Sequence, residues 1–427
     1  MDEATGIATS GRHDGGRSGR REIALLVLAI VLVSLNLRSA LTVIGPLIRD
    51  LRAGDGLSGA AVGLLAAAPL LAFGLISPLG PLAAARFGIE RTLVACMLVL
   101  SVSLALRPLP SVVLLFAGTL VAGAAIAVAN VLLPALVKRR FGEQATFVTG
   151  IYSVALGVGA ALAAGLAVPS ERWLGDSWRA ALAVWAVPAL LAAVVWLPLL
   201  GGARGGAAPA ARVRVNLWRD RVAWSVTSYM ALLAVQFYSQ VAWLPEIYRD
   251  EGMSKGAAGA LLSLSLVVGI PCGFLVGALA GRVRDQRSIA WAAGLVILGG
   301  WIGVLLAPDA APSLWAILLG LGFGTGFTLV LSLFVLRADD APHAVALSGM
   351  AQSVGYALAA VGPIAVGALH DATGDWTAPL AVLIGVAAVD LAIGLQAGRA
   401  RFVRGRQLDA AEAVRGEPAA AGAGAPR

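Results

Sequence analysis

Apolar runs of about 20 residues, the length a helix needs to cross a hydrocarbon core, recur twelve times along the chain. They cover 22–48, 58–79, 91–109, 111–137, 144–168, 179–200, 219–245, 256–280, 288–306, 312–336, 345–369 and 377–398. The pattern predicts an all-α integral membrane protein with 12 transmembrane helices. The first run follows an arginine-rich lead, but it continues past residue 40 without a small-x-small cleavage site. It therefore reads as a retained span rather than a cleaved signal peptide. Residues 1–21 and 399–427 read as polar, disordered tails. Residues 201–218, rich in Gly, Ala and Arg, read as a linker between two six-helix bundles at 22–200 and 219–398.

The two bundles repeat each other. Pro46-Leu-Ile48 answers Pro245-Glu-Ile247, and Leu115-Phe-Ala117 answers Leu314-Trp-Ala316, each 199 residues on. Leu57-Ser58 with Gly63 answers Met253-Ser254 with Gly259, Gly80-Pro-Leu82 answers Gly277-Ala-Leu279, Thr149-Gly150 answers Ser348-Gly349, and Asp176-Ser-Trp178 answers Gly374-Asp-Trp376. Six matches in order, at offsets of 196 to 199, point to a duplication of six spans in parallel topology.

Composition narrows the class. Of the 427 residues, 59% are hydrophobic and 13% charged, with a mean hydropathy of +0.85. A soluble domain carries about 25% charged residues, so a soluble enzyme and a disordered chain are both excluded. Cys96 and Cys272 lie inside apolar runs and build no disulfide framework. The net charge of +8 is expected to face an anionic membrane surface rather than nucleic acid. Of the 32 Lys and Arg, 24 fall in the tails and in the loops after even-numbered spans, and seven in the loops after odd-numbered ones. The positive-inside rule then puts both termini in the cytoplasm of a multi-pass plasma-membrane protein.

The remaining arginine, Arg38, lies inside span 1. It is eight residues before Pro46, roughly 12 Å below the outer end by helical rise. A guanidinium near the bilayer centre costs roughly 2.5–3.5 kcal/mol on insertion scales, so it must face a wet cavity or a partner. Its planar fork suits carboxylates and other small oxyanions, which makes it a substrate anchor. The other reading is a structural arginine that caps carbonyls or pairs with the protein's own carboxylate. Thr42 and Gly45 share its face at i+4 and i+7, while Asn36 lies about 200° away around the helix. On span 7, Gln236, Gln240 and Trp243 form one face, read either as a polar cavity wall or as interhelical hydrogen bonding; Tyr229 extends the stripe and Tyr238 flanks it. The prolines place Phe237 opposite Arg38 by pseudo-symmetry. Asn130, Tyr152, Gln352 and Tyr356 are further candidates, each read either as cavity lining or as helix packing. Asp390 in span 12 and Glu246 near the outer end of span 7 are the candidate proton carriers. Asp390 is expected in a structural or lipid-edge place. Gly269, Gly273, Gly277 and Gly281 make a small-residue ladder for close helix packing.

Residues 36–47 read Asn36-Leu-Arg38-Ser-Ala-Leu-Thr42-Val-Ile-Gly45-Pro46-Leu47. This segment resembles the first-helix signature of the cyanate and 2-nitroimidazole transporter family within the major facilitator superfamily. Trp178-Arg179 at the mouth of span 6 belongs to the superfamily resemblance, which covers about residues 22–398. The superfamily's loop motif survives as Gly80-Pro-Leu-Ala-Ala-Ala-Arg86-Phe-Gly88-Ile-Glu-Arg91 and Gly277-Ala-Leu-Ala-Gly-Arg282-Val-Arg-Asp-Gln-Arg287, without the aspartate after Leu-Ala in either half. The usual latch of that aspartate to a helix end is therefore not expected.

The resemblance implies the superfamily fold and a secondary transporter working by alternating access. With Arg38, the expected solute is a small polar or anionic organic molecule. The rivals are efflux of cationic or lipophilic drugs, which a membrane-depth arginine disfavours, and a transporter-like receptor, which lacks an output domain here. No phosphate-binding loop, His-Glu-x-x-His or Gly-x-Ser-x-Gly pattern occurs, so no ATP-driven pump, enzyme or cofactor is expected. The three histidines lie in tails or loops and suggest no metal site. The expected partners are the solute, the lipid bilayer and a proton gradient, with the chain as a monomer.

Overall fold

The structure is a computed structural model that describes residues 14–77, 79–202, 214–404 and 406–408. The first half comprises α1 (Asp14–Thr42), α2 (Ile48–Asp55), α3 (Gly59–Ile76), α4 (Leu79–Phe87), α5 (Ile89–Leu106), α6 (Val112–Phe141), α7 (Ala145–Trp173), α8 (Trp178–Ala183) and α9 (Ala186–Trp196). The second comprises α10 (Arg221–Asp250), α11 (Lys255–Ala280), α12 (Arg287–Leu306), α13 (Pro312–Leu336), α14 (Ala341–Ala359), α15 (Val361–Thr373) and α16 (Thr377–Ala397). Eleven segments among the described residues are long and apolar enough to cross a membrane. The twelfth span is α10, which carries too many polar groups to qualify on hydropathy. It buries most of them inside the protein, and Gln236, Gln240 and Trp243 bond neighbouring helices.

Local signals set the helix ends. Ser58 and Ser254, repeat-mates, each cap a helix start by accepting from the third amide on, Ala61 N at 3.1 Å and Ala257 N at 3.3 Å. Ser111, Ser177 and Asp220 do the same. Three spans are broken where the sequence pattern ran straight through. Span 1 ends its α-helix at Thr42, because Pro46 offers no amide to the Thr42 carbonyl and its ring crowds that turn; a 3-10 turn, Gly45–Leu47, leads into α2. Span 11 divides at Ala360, three residues before Pro363. Span 6 divides at Val184-Trp185, three residues before Pro188. Pro245, in contrast, sits within an unbroken α10.

Small residues let the helices approach. A Cβ at Gly159 would strike the Leu35 carbonyl of α1, and one at Gly324 would strike the Gly269 carbonyl. The ladder on α11 packs as expected at three of its rungs: Gly269 lies against Gly320 and Gly324, and Gly273 and Gly277 against Thr328. The fourth, Gly281, meets nothing within 4 Å.

The tails and linker differ from the sequence reading. Helix α1 begins at Asp14, not at residue 22. Arg214–Asn216 of the linker pairs antiparallel with Arg406–Leu408 of the C-terminal tail, and Arg404 N donates to Asp220 Oδ2 at 2.8 Å. The remaining linker and tail residues, 1–13, 203–213, 405 and 409–427, lie outside the described residues.

The loop motif without its aspartate is replaced by another latch in each half. Glu90, 1% exposed, pairs with Arg139 and, at 3.0 Å, with Arg140 at the end of α6. In the second half Gln286 stands 196 residues after Glu90. It accepts from Arg337 at the end of α13 and donates to the Ala280 carbonyl at 2.9 Å. Arg337 also donates to the Gly398 carbonyl at 2.8 Å, closing the C-terminus of α16.

Candidate functional site

Arg38 ends up where the pseudo-symmetry placed it. Its guanidinium lies 5.9 Å from the centroid of the Phe237 ring, within reach of a cation–π contact. Tyr238 and Tyr356 lie near it. The rings form a continuous box. Phe237 meets Tyr238 at 5.2 Å, Phe327 at 5.1 Å and Phe323 at 5.7 Å, all edge-on. Tyr356 meets Phe73 at 5.3 Å and Tyr238 at 6.3 Å. The Tyr238 hydroxyl is buried without a hydrogen-bond partner. Arg38 itself is half-buried, and among the described residues no hydrogen bond or ion pair engages its side chain. Of the two ways in which the protein could satisfy this arginine itself, neither is present.

The other expected residues divide. Tyr152, like Phe237 and Tyr356, packs partly buried against the hydrophobic core that contains Tyr238. Gln352 is half-buried one turn before Tyr356, its amide donating to Ser348 Oγ at 2.8 Å. Asn130 is half-buried on α6. Thr42 is 2% exposed and donates to the Ala160 carbonyl of α7 at 2.9 Å, so it joins helices. Asn36 is 1% exposed and donates back to the Leu32 carbonyl at 2.8 Å. Gly45 faces the Val241 carbonyl where span 1 crosses α10, and Pro46 packs against Gly259.

The stripe on α10 does not face the box. Gln236 donates to Asp390 of α16 at 3.3 Å, Gln240 to Ser265 of α11 at 2.6 Å, and Trp243 to the Pro363 carbonyl at 2.9 Å. All three are fully buried. Of the two readings of that stripe, the contacts are those of interhelical hydrogen bonding. Asp390 is likewise not at a lipid edge: it is 1% exposed, turned inward onto α10. Of the rings in the box, Tyr356 is a sequence candidate and Phe237 and Tyr238 are marked by span 7, whereas Phe73, Phe323 and Phe327 carry no polar signal in the sequence. The usable signal was the pseudo-symmetry that set Phe237 opposite Arg38.

A second cluster joins the halves at the end carrying α2. Arg49 pairs with Glu246 at 3.0 Å and with Asp250. Lys255 pairs with Asp50 at 2.7 Å and with Glu171. Arg52 pairs with Asp371 at 2.9 Å, and Asp371 also accepts from Ala60 N at 3.1 Å, at the start of α3. Trp376 donates to Asp250 Oδ2 at 2.7 Å. Glu246 is thus an ion-pair partner between halves. Among the described residues no ion pair joins the halves at the opposite end.

Known proteins fit this geometry. Residues 26–360 match the Major Facilitator Superfamily. The 2-nitroimidazole transporter of Escherichia coli (strain K12) is 40% identical over 392 residues, 91% of this chain and 98% of its own. The cyanate transport protein CynX of the same organism is 30% identical over 375 residues, 86% and 96% of the two chains. A solved bacterial homolog of the human lysosomal transporter Spinster, in an inward-facing and occupied conformation, shares the fold with a TM-score of 0.74 at 16% identity, over 88% of this chain and 96% of that one. With twelve spans in two repeated halves and relatives matched over nearly their full length, this chain is a multi-pass membrane transporter that belongs to the major facilitator superfamily.

Proposed function

We propose that the protein is a secondary transporter that binds a small anionic or strongly polar organic solute between Arg38 and the rings of Phe237, Tyr238 and Tyr356, and moves it by alternating access. One observation carries this reading. A permanent charge sits at membrane depth, partly accessible, with no carboxylate or carbonyl of the protein to occupy it. Nitroimidazoles and cyanate, the solutes named for two relatives, are both small and both present acceptor atoms that an arginine fork can take. The positive-inside count assigns the α2 end to the outside and both termini to the cytoplasm. The ion pairs then close the outer face, and the conformation corresponds to inward-facing access to the box.

The test is a thermal-shift screen of purified protein against 2-nitroimidazole, cyanate and other small anions, since a ligand stabilises the state that it binds, followed by flux in liposomes. Arg38→Ala should weaken binding by roughly 1.5–3 kcal/mol, about tenfold or more. Arg38→Lys should fail nearly as badly, because a point charge does not replace a bidentate fork. Undiminished affinity in a monodisperse Arg38→Ala protein would refute the anchor.

A further inference from the structure

Asp390 lies in α16, about 10 Å along the helix from Ala397, and it is withdrawn from water without a counter-ion. Its partner is the amide of Gln236, which donates to Oδ2 at 3.3 Å. Gln236 Nε2 also donates to the Leu232 carbonyl at 3.2 Å, so its two hydrogens are both spent. Two atoms of this joined pair are left over. Asp390 Oδ1 and Gln236 Oε1 are both buried and both without a partner. Both are acceptors while the acid is ionised, so no rotation of either group can satisfy them.

One proton on Oδ1 answers both. The acid O–H then donates to the amide oxygen while the amide N–H donates to the acid carbonyl, the reciprocal pairing of a carboxylic acid with a carboxamide. Without that proton the contact holds a buried charge and an orphaned amide oxygen, each costly in a dry helix interface. The surroundings offer no substitute. On α10 the facing titratable group is Tyr229, whose ring lies against Gly394, one turn beyond Asp390. Helix α12 brings Ala290 and Gly294 to this surface, and its one charge, Arg287, is at its start. Helix α15 carries His370 and Asp371, both engaged at the outer end.

Gln236 immediately precedes Phe237, the ring beneath Arg38. A change at Asp390 is therefore felt one residue from the solute box, on the helix that also carries Glu246 and Asp250 of the outer cluster. We propose that Asp390 is a proton-binding site, and that through Gln236 its occupancy sets the position of α10 and so couples a proton to transport. The proposal rests on the alternating-access reading. Loss of the proton disfavours the described conformation, so deprotonation opens the α2 end, and protonation returns it.

The experiment needs no solute, so its outcome stands apart from that of any ligand screen. Cys96 and Cys272 are replaced, and spin labels are attached at cysteines in place of Arg172 and Glu251, two exposed residues on opposite halves. Inter-label distances are measured by electron–electron double resonance across a pH series. Infrared spectra of the same protein report the C=O stretch of protonated carboxyl groups. Wild-type protein should show a carboxyl band that fades at alkaline pH as the label distance widens. Asp390→Asn, whose amide reproduces the protonated pairing, should lack that band and stay at the short distance at every pH. Gln236→Leu should keep the band but shift it toward that of a carboxyl without an amide partner. A band indifferent to Asp390→Asn, a wild-type distance indifferent to pH, or a widening that persists in Asp390→Asn overturns the proposal.

Discussion

Gly63 offers a way to move the conformational balance without touching charge or solute. In α3 it faces α15 of the other half: a Cβ there would fall against the Pro363 carbonyl oxygen and 2.8 Å from Ile364 Cα. Both obstacles are backbone, so no side chain can swing aside. Within α3 itself alanine is the better helix former, by about 0.8–1 kcal/mol. Folding of the first half should thus be unharmed or improved, and the penalty should fall only on the approach of the halves. Overpacking a tight contact costs typically 1–3 kcal/mol. Here opening of the α2 end relieves it, so the ratio of open to closed protein should rise about fivefold to 150-fold. The labels at positions 172 and 251 read this directly, as a second, longer distance in Gly63→Ala and a dominant one in Gly63→Leu. Gly299→Ala on α12, where a Cβ meets nothing within 4 Å, is the control and should leave the distribution unchanged. An unaltered short distance in Gly63→Leu, with the protein monodisperse, would show that the α3–α15 contact is not what separates the two conformations.

The ion pairs at the same end should be unequal. Glu246 is 5% exposed at its side chain, and Arg49→Ala leaves it only Arg249 at 3.7 Å, so the variant should favour the open form by the same distance measurement. Arg52 and Asp371 are 28% and 27% exposed, and Arg52→Ala should shift the balance by only about 0.2–1 kcal/mol. At the opposite end, Glu90→Gln should cost much less thermal stability in detergent than Glu90→Ala, because Gln286 already fills the matching place in the second half with an amide; equal losses would refute the equivalence of the two latches.

Much of this was legible because membrane burial imposes length and duplication imposes register. Eleven of the twelve spans follow from hydropathy and α10 from its place in the repeat, and the shared 199-residue offset of the Pro46 and Pro245 matches set Phe237 opposite Arg38, as the 5.9 Å contact shows. The rotation of a polar stripe was not legible in the same way. Gln236, Gln240 and Trp243 share a face, but a helix packed on all sides has no wet face by default, and each found a different neighbour. The charge cluster at the α2 end was hidden for another reason. Arg49, Asp50 and Arg52 sit at a span end, where charges read as ordinary solvated loop, and only the meeting of the halves turns them into a closure. The break after Thr42 was foreseeable from Pro46, yet Pro245 at the matching place leaves α10 whole, and local sequence alone does not separate the two.

The arginines at the span ends make the case for Arg38 by contrast. Arg179 donates to the Pro108 and Leu109 carbonyls and pairs with Asp55. Arg337 closes the end of α16. Arg107, 1% exposed, donates to the Ala40 carbonyl in the last turn of α1, although its Nε and Nη2 find no partner. These side chains secure helix termini, the use expected of a cation near a C-terminal dipole. Arg38 sits one turn before the end of α1, yet among the described residues its side chain donates to no helix carbonyl. Unlike Arg107 it keeps accessible surface, so its open donors can be reached by a solute. A charge that stabilises no terminus, pairs with no carboxylate and faces a ring box is a cost to the fold, and the proposed solute site is what would offset it.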